Sequence, residues 1–559
     1  MGAKQAKHYA SITSVPSLQT AILGPLLFLL LLSLLTPFTA AAQVDTVWAR
    51  TYKGPGSIGL GNVGRCVEVD RAGNAYVTGE SEGQDTTVDY ATLKYSPSGV
   101  QRWVSRYGGS GTGEDRPVGL AVDERGNVYV TGMSNGVVTS YDFATVKYDS
   151  SGNQRWVARY NGRADTMDFA TAITVDVAGN CYVTGGCDNG ATDFDYTTIK
   201  YNPVGETVWV REYAGNSYRD VATSVAVDDS LHVYVTGVSG DNSTLDDAVT
   251  IKYDRNGNVE WIARYDRQGY ESGLAIALDS SGNVYVAGDA DDGASSLGYL
   301  LVKYNARGDT LWSRKHDPPY DWELLSGLVV DPTGNAYVTG WSRDSVGDCI
   351  ATVKYDGAGN QLWDRRYRVS DSSTDYAADI ALDRFGSVYV SGNTFRPPAN
   401  YALLVKYNSA GVLQWAITDI TSPTTWSVAV DSAGFVYTTG GCRDGFITAK
   451  CRQTNIVLEH STRLLAPAVL NVGPVPFTDR LSISLSRLTK TSGNVNLRIY
   501  DASGRSVRSL PDKGMPLRAG GEVTWDGKDD RGRELAAGVY FCLLKDDEKI
   551  LTRKVVLVR

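Results

Sequence analysis

The stretch from Pro117 to Tyr160, PVGLAVDERGNVYVTGMSNGVVTSYDFATVKYDSSGNQRWVARY, decides the fold, because it recurs eight times along the chain. The period is about 51 residues, and a fixed period of that order marks solenoids, propellers and arrays. Three markers trace the copies. An Asp closes the first apolar run at Asp70, Asp123, Asp176, Asp228, Asp279, Asp331, Asp383 and Asp431. A Lys follows at Lys94, Lys147, Lys200, Lys252, Lys303, Lys354, Lys406 and Lys450. A Trp falls at Trp48, Trp103, Trp156, Trp209, Trp261, Trp312, Trp363 and Trp415, so the Trp series begins before the first Asp and ends before the last Lys.

Each unit reads as four short strands. GLAVD, NVYVTG, FATVKYD and QRWVARY are rich in Val, Thr, Tyr and Trp and are parted by turn residues. DERGN and DSSGN supply an Asp that bonds the backbone two residues on and a Gly that takes positive φ. Four such strands, repeated face to face, predict an all-β chain whose main body is an eight-bladed β-propeller. The phase offset predicts how the ring closes: DTVWARTY, residues 45 to 52, is a spare outer strand, and the unit ending at Lys450 lacks one. Joining the two leaves no sheet edge open at the seam.

The repeat spans residues 43–455. Before it, Lys4 and Lys7, an apolar run from Ala21 to Leu35 and Ala40, Ala41 and Ala42 read as a secretory signal over 1–42, with an uncleaved anchor as the alternative. No other stretch is long and apolar enough to span a membrane. After the repeat, 456–471 reads as a linker, and 472–559 as a small antiparallel immunoglobulin-like sandwich with alternating segments LSISLS, VNLRIYD, EVTWDG, GVYFCLL and LTRKVVLVR. A net charge of −9 over 559 residues argues against nucleic acid as a partner. The seven Cys form no CxxC pair. Cys66, Cys181 and Cys349 fall in or beside strands, Cys187 and Cys442 at equivalent loop positions; small buried thiols are the main expectation and one or two disulfides the other.

Two resemblances carry expectations further. PVPF (Pro474 to Phe477), IYDASGR (Ile499 to Arg505), WDGKDDRG (Trp525 to Gly532), ELAAGVYF (Glu534 to Phe541) and the terminal KVVLVR resemble the FlgD-like immunoglobulin-like module of the flagellar-hook capping protein. They are also similar to type IX secretion sorting domains, with Val475 where that pattern has Asn. This resemblance implies export to a bacterial cell surface, or secretion, with the secretion machinery as a partner. The VDxxGNxYVTG units resemble the bacterial β-propeller repeat family, which implies a fold and no shared reaction. The pattern YDxxGxxxW is also similar to eight-bladed quinoprotein dehydrogenases and outer-membrane assembly scaffolds, but the adjacent Cys pair expected of that cofactor's enzymes is missing.

Catalytic patterns are scarce. His232 and His316 replace repeat residues, and with His460 they are the only histidines after residue 42, so zinc has no ligand set. GESEG (79–83) and GMSNG (132–136) place Ser81 and Ser134 in loops after the repeat's TG, without the helix or acid and His partners of a hydrolase elbow. No phosphate-binding GxxxxGK[ST] occurs. The expectation is therefore no enzyme and no cofactor; calcium has no motif behind it, because WDGKDDRG lacks EF-hand spacing and reads as a turn. Recurrent loop acids, Asp89, Asp142, Asp195, Asp247, Asp348 and Asp444 in one set and Asp115, Asp168, Asp220 and Asp375 in the other, read as tying loop amides.

Specificity is expected in the less repeated loops. CDNGATDFD contributes Asp188 and Asp193, DADDGASS contributes Asp289, Asp291 and Asp292, and HDPPYDWE contributes Tyr320 and Trp322, with Trp341 beside them. These are the candidate binding-face residues for a glycan or protein ligand. The functional expectation is a secreted or surface-bound scaffold acting by binding; the alternatives are a propeller lyase or glycosidase using funnel carboxylates, and a purely structural envelope component.

Overall fold

The computed structural model describes residues 42–455 except 57–61, 85–86, 138, 189, 191–193, 216–218, 241–245, 268, 292–295, 317–321, 419–423 and 443–444, and residues 469–559 except 474–476, 487–495, 503, 511–521 and 546–549. Residues 1–41 of the signal segment read over 1–42 and most of the linker read over 456–471 lie outside the described residues, and Ala42 begins the first strand. Among those described there is no helix, and so none long and apolar enough to cross a membrane.

Residues 42–455 form one compact unit of eight four-stranded antiparallel blades, the first and the eighth joined into one sheet by a bridge between Val63 and Gly441. In blade one the strands run Val63–Val69, Ala75–Glu82, Val88–Tyr95 and Gln101–Tyr107, inner to outer. Blade two repeats this with Asp115–Val122, Val128–Asn135, Tyr141–Tyr148 and Gln154–Tyr160. Blades three to seven follow over 168–213, 220–265, 275–316, 323–367 and 374–418. Blade eight has Ser427–Val430, Val436–Cys442 and Gly445–Asn455, and its outer strand is Ala42–Tyr52 from the start of the ring. Trp48 lies opposite Lys450 there, as Trp103 lies opposite Lys94 and Trp156 opposite Lys147 within their own blades. The spare strand therefore closes the ring in the register of every other blade.

The repeat residues bind each blade to the next. The indole N–H of Trp103 donates to the Ser150 carbonyl at 3.1 Å, that of Trp156 to Pro203 at 3.2 Å, and that of Trp48 to Pro97 across the seam at 3.0 Å. Trp209, Trp261, Trp312 and Trp363 do the same onto Arg255, Ala306, Gly357 and Ser409, and Trp415 onto the Gln453 side chain. The repeat Lys joins in: Lys147 Nζ donates to the same Pro203 carbonyl at 2.9 Å while standing 4.7 Å above the Tyr129 ring. Asp70 Oδ1 accepts from the Ala72 and Asn74 amides and Oδ2 from Asn74 and the Tyr76 hydroxyl; Asp123, Asp176, Asp279 and Asp331 hold their turns alike. In blade four His232 replaces the Asn and keeps the bond, its Nδ1 lying 2.9 Å from Asp228; Asp383 and Asp431 hold theirs without that side chain.

In each of blades one to seven a glycine makes the Trp seat, whereas Trp415 meets Gln453 of blade eight. Gly359 has φ +82°, and a Cβ there would stand 2.7 Å from the Trp312 ring. Gly359→Ala combines a left-handed conformation with a clash that only a blade shift relieves, and is expected to lose about 1–3 kcal/mol in denaturant unfolding. An unchanged midpoint would contradict this seat.

The second unit holds two sheets. Val469–Gly473, Leu481–Ser486 and Glu522–Trp525 form one; Ser506–Leu510, Asn496–Asp501, Gly538–Lys545 and Ile550–Leu557 form the other. The first strand starts inside the stretch read as linker. Trp525 is fully buried between Phe477 and Tyr540, with centroids 5.3 Å away on each side. In WDGKDDRG, Asp529 Oδ1 accepts the Arg531 and Arg533 amides, so that carboxylate closes a turn.

All seven Cys are free thiols. Cys187 and Cys442 lie in strands rather than loops. Burial raises the Cys542 thiol to about 12 and the Cys451 thiol to about 11, which keeps both protonated and unreactive.

Candidate binding site at the channel mouth

Apart from a single bridge between Val63 and Gly441 at the seam, the inner strand of each blade has no ladder partner on its inner side among the described residues, so together these strands line the central channel, and residues at their starts surround one mouth. On blades six to eight that mouth is aromatic. In blade six, Glu323–Val330 pairs with Ala336–Arg343, Leu324 opposite Trp341 and Glu323 opposite Ser342, and the Arg343 amide donates to the Trp322 carbonyl at 3.2 Å. Strand alternation puts Trp322, Leu324, Trp341 and Arg343 on one face and Glu323 and Ser342 on the other. Tyr376, near the start of the blade-seven inner strand, brings its ring centroid 6.2 Å from that of Trp341. Phe395 sits opposite Thr374 on the same blade.

The arc continues across blade eight to the seam. Asn393 clamps the backbone of Thr425, accepting its amide at 2.7 Å and donating to its carbonyl at 3.1 Å. That fixes Trp426, the next residue, and the Arg65 guanidinium of blade one lies 5.0 Å from the Trp426 ring while bonding Glu80 at 2.6 Å. Trp322, Leu324, Tyr376, Phe395 and Trp426 are each 40–50% exposed. Exposed large apolar groups gathered in this way mark interaction sites, whereas single ones do not. Elsewhere on the mouth the equivalent pairs are Arg116 with Met133, Phe169 with Gly186, Val221 with Val238 and Ser272 with Asp289, the last two pairs buried. The aromatic arc is thus one-sided. Within it the Trp341 indole N–H is buried and has no protein acceptor.

Behind the arc lies a buried charge cluster. Glu323 takes His316 Nδ1 at 2.8 Å, the Ser342 hydroxyl at 2.8 Å and the Arg366 guanidinium at 3.1 Å. His316 Nε2 lies 3.2 Å from Asp364, and its ring stacks on Tyr299. Burial alone would lower the His316 pKa, but the hydrogen bonds to Asp364 and Glu323 prevail and hold it up at about 9.

The sequence-expected site residues are dispersed. Trp322 and Trp341 join the arc, although Trp341 is a strand residue, not a loop one. Asp289 departs from the expectation of a binding-face loop: the strand runs on to Asp291, pairing Asp289 with Tyr299, and the buried carboxylate accepts the Leu325 amide at 2.7 Å. Burial first, then the Glu323 charge, lift it to about 7 against that bond. Asp188 and Asp291 end their strands, half-buried; the Asp188 side chain accepts the Gly190 amide. Asp193, Asp292 and Tyr320 lie outside the described residues, as does Asp444.

The recurrent acids are also strand residues. Asp115, Asp168 and Asp220 open inner strands and accept the Gly109, Gly162 and Gly215 amides, and Asp375 accepts that of Val369. Asp89 pairs with Arg106 at 2.8 Å, Asp142 with Arg159 at 2.7 Å and Asp247 with Arg264; Asp348 pairs with Arg343 at 2.8 Å, and Asp195 opens no loop either but is buried in its strand. Ser81 and Ser134, expected in loops, are buried in second strands, where each accepts from the Arg of its outer strand.

Sequence reasoning missed Tyr376, Phe395, Trp426 and Arg65. A signal existed for Trp426: of the 12 Trp, the ones in the ring that fall off the repeat phase are Trp322, Trp341 and Trp426, and all reach this mouth.

Comparison with known proteins agrees with the two-part architecture. Residues 102–137 match the Beta-propeller repeat family and residues 477–545 the FlgD Ig-like domain family. The first match covers about one blade of the ring and the second most of the second unit, so a propeller of repeated four-stranded blades is joined to a domain that resembles the FlgD Ig-like domain. An uncharacterized WD repeat-containing protein, L264, of Acanthamoeba polyphaga mimivirus is 21% identical over 65% of this chain and 33% of its own length. The regulatory protein FlaEY of Caulobacter vibrioides is 25% identical over 25% of this chain and 15% of its own. The chain thus spans a third or less of either curated relative. Among solved structures, PorZ, a surface component of the Porphyromonas gingivalis type-IX secretion system, has TM-score 0.39 at 14% identity, covering 87% of this chain and 64% of that one. A PL25 ulvan lyase bound to -[GlcA(1-4)Rha3S]- has TM-score 0.39 at 13% identity, covering 68% and 94%. Neither likeness assigns an activity.

Proposed function

We propose that this is an exported, surface-associated binding protein whose channel mouth holds a polysaccharide by stacking sugar rings on the arc of Trp322, Trp341, Tyr376 and Trp426. The observation that carries the reading is the arc itself: exposed and half-exposed rings from consecutive blades, flanked by Arg65, Arg343 and Asp348. A pyranose offers an apolar C–H face to a ring and hydroxyls at its rim, which suits aromatic surface bordered by charged hydrogen-bonding groups. The FlgD-type domain and the apolar run before residue 43 support delivery outside the cell through the secretion machinery.

Binding is favoured over catalysis by how the nearby carboxylates are used. Glu323, Asp289 and Asp375 are buried and bonded to protein donors, so none is presented to a bound chain as an acid or base. The test is thermal melting of residues 43–559 against a panel of soluble polysaccharides, in which a ligand that binds only the folded state raises the melting temperature. Trp426→Ala is expected to keep its own melting temperature within a degree or so and to weaken the glycan at least about tenfold, roughly 1.4 kcal/mol. A glycan that binds Trp426→Ala and Trp322→Ala as tightly as the parent removes this reading, and release of shortened sugars would favour the lyase or glycosidase alternative.

A further inference from the structure

We propose that the carboxylates of Asp247, Asp266 and Glu271, at the junction of blades four and five, hold one calcium ion. One carboxylate oxygen from each lies within 4.8 Å of those of the other two. Calcium takes oxygen ligands at about 2.3–2.6 Å, so ligands on opposite sides of one ion stand about 4.6–5.2 Å apart and this spread fits a shared cation.

The repeat provides its own controls. At the junction of blades one and two, Asp89 is paired with Arg106, and Asp115 accepts the Gly109 amide at 2.6 Å and the Asn135 amide at 3.1 Å. At the next, Asp142 is paired with Arg159, and Asp168 accepts the Gly162 and Asp188 amides. Both oxygens of the inner acid are thus engaged. The residue after the outer strand is Gly108, Asn161 and Ala214 in blades one to three.

At the fourth junction two things change together. Glu271 replaces the inner Asp; it is 1% exposed, and its Oε2 is buried with no hydrogen-bond partner. The residue after the outer strand becomes Asp266, an exposed carboxylate. The inner acid Asp375 also has a buried oxygen, Oδ1, without a partner, but Arg368 follows the outer strand there, so it is at the fourth junction that such an oxygen coincides with a third acid. Such an oxygen is costly to bury unless something cationic meets it. Arg264 already pairs with Asp247, leaving the group of four side chains at −2, the charge one divalent ion neutralises. The Arg267 guanidinium is directed elsewhere, to the Ser313 hydroxyl and 5.6 Å from the Tyr265 ring. Burial, with Asp247 and Asp266 adding to it, pushes Glu271 up to about 7, and a bound cation would relieve that. Asp266, at the surface, is the way in.

The test is calorimetric titration of EDTA-stripped protein, residues 43–559, with calcium chloride, alongside Asp266→Asn, Glu271→Gln and Asp529→Asn. The expected result is one saturable site with Kd in the range of about 10⁻⁴–10⁻³ M typical of extracellular modules, weakened at least about tenfold by Asp266→Asn and by Glu271→Gln and unmoved by Asp529→Asn in the second unit. Asp266 is exposed, so its variant tests the site even where Glu271→Gln destabilises the fold. Absence of saturable heat in the parent, or a Kd unchanged by Asp266→Asn, would overturn the proposal.

Discussion

Deleting residues 42–52 is expected to cost more stability than any single substitution in the ring, because that segment is the outer strand of blade eight. It pairs with Gly445–Asn455 along almost its whole length, and it carries Trp48, whose indole N–H donates to Pro97 of blade one. Without it the Lys450 strand becomes an exposed edge, and Gly99 loses the indole that packs 2.6 Å from where its Cβ would be. Trp48 is 5% exposed, like Trp209 and Trp415 at 6%, so Trp48→Ala should match Trp209→Ala, each losing about 3–5 kcal/mol. The deletion should also lower the cooperativity of unfolding, because both ends of an open ring can fray. Calorimetry on the deletion and on the two Trp variants checks this; melting of the deletion at the parent temperature would mean that the ring is not closed by this strand.

Glu323→Ala should be the most damaging point change near the mouth. It removes the acceptor shared by His316, Ser342 and Arg366 from a site where the glutamate side chain is fully buried. Breaking such a pair strands the remaining charges, at a cost of about 3–5 kcal/mol. The pH profile identifies the cause. The His316 pKa is raised from 6.5 to about 9 in the fold, so the stability gained from its charged form is complete below about 6.5 and is lost as pH rises through about 9. In Glu323→Gln one of the two acceptors that hold that proton is neutral, and the decline in stability between pH 7 and 9 should shrink. Equal slopes in parent and variant would show that His316 is not the titrating group.

The architecture was legible because each repeat marker has one mechanical task. The Asp of DxxGN closes a turn, the Lys and Trp share a carbonyl on the next blade, and the phase offset of Trp48 reports the seam directly. Strand ends were harder. Asp115, Asp168 and Asp289 sit beyond the Val-rich runs, and a carboxylate looks like a loop residue until its buried amide partners are seen. The binding arc was half legible. Trp322 and Trp341 stand out as off-phase aromatics, but Tyr376, Phe395 and Arg65 occupy ordinary strand positions, and only the stacking of blades six, seven, eight and one brings them to one mouth.

The central claim, a polysaccharide held on that arc, is tested most directly by a crystal structure of residues 43–559 with an oligosaccharide taken from the panel. The expected result is a sugar ring lying against Trp426 or Trp322, with its hydroxyls within hydrogen-bond reach of Arg65 or Arg343. A sugar bound at the DxxGN turns, on the opposite face of the ring, or on the immunoglobulin-like domain with the arc bare, would contradict it.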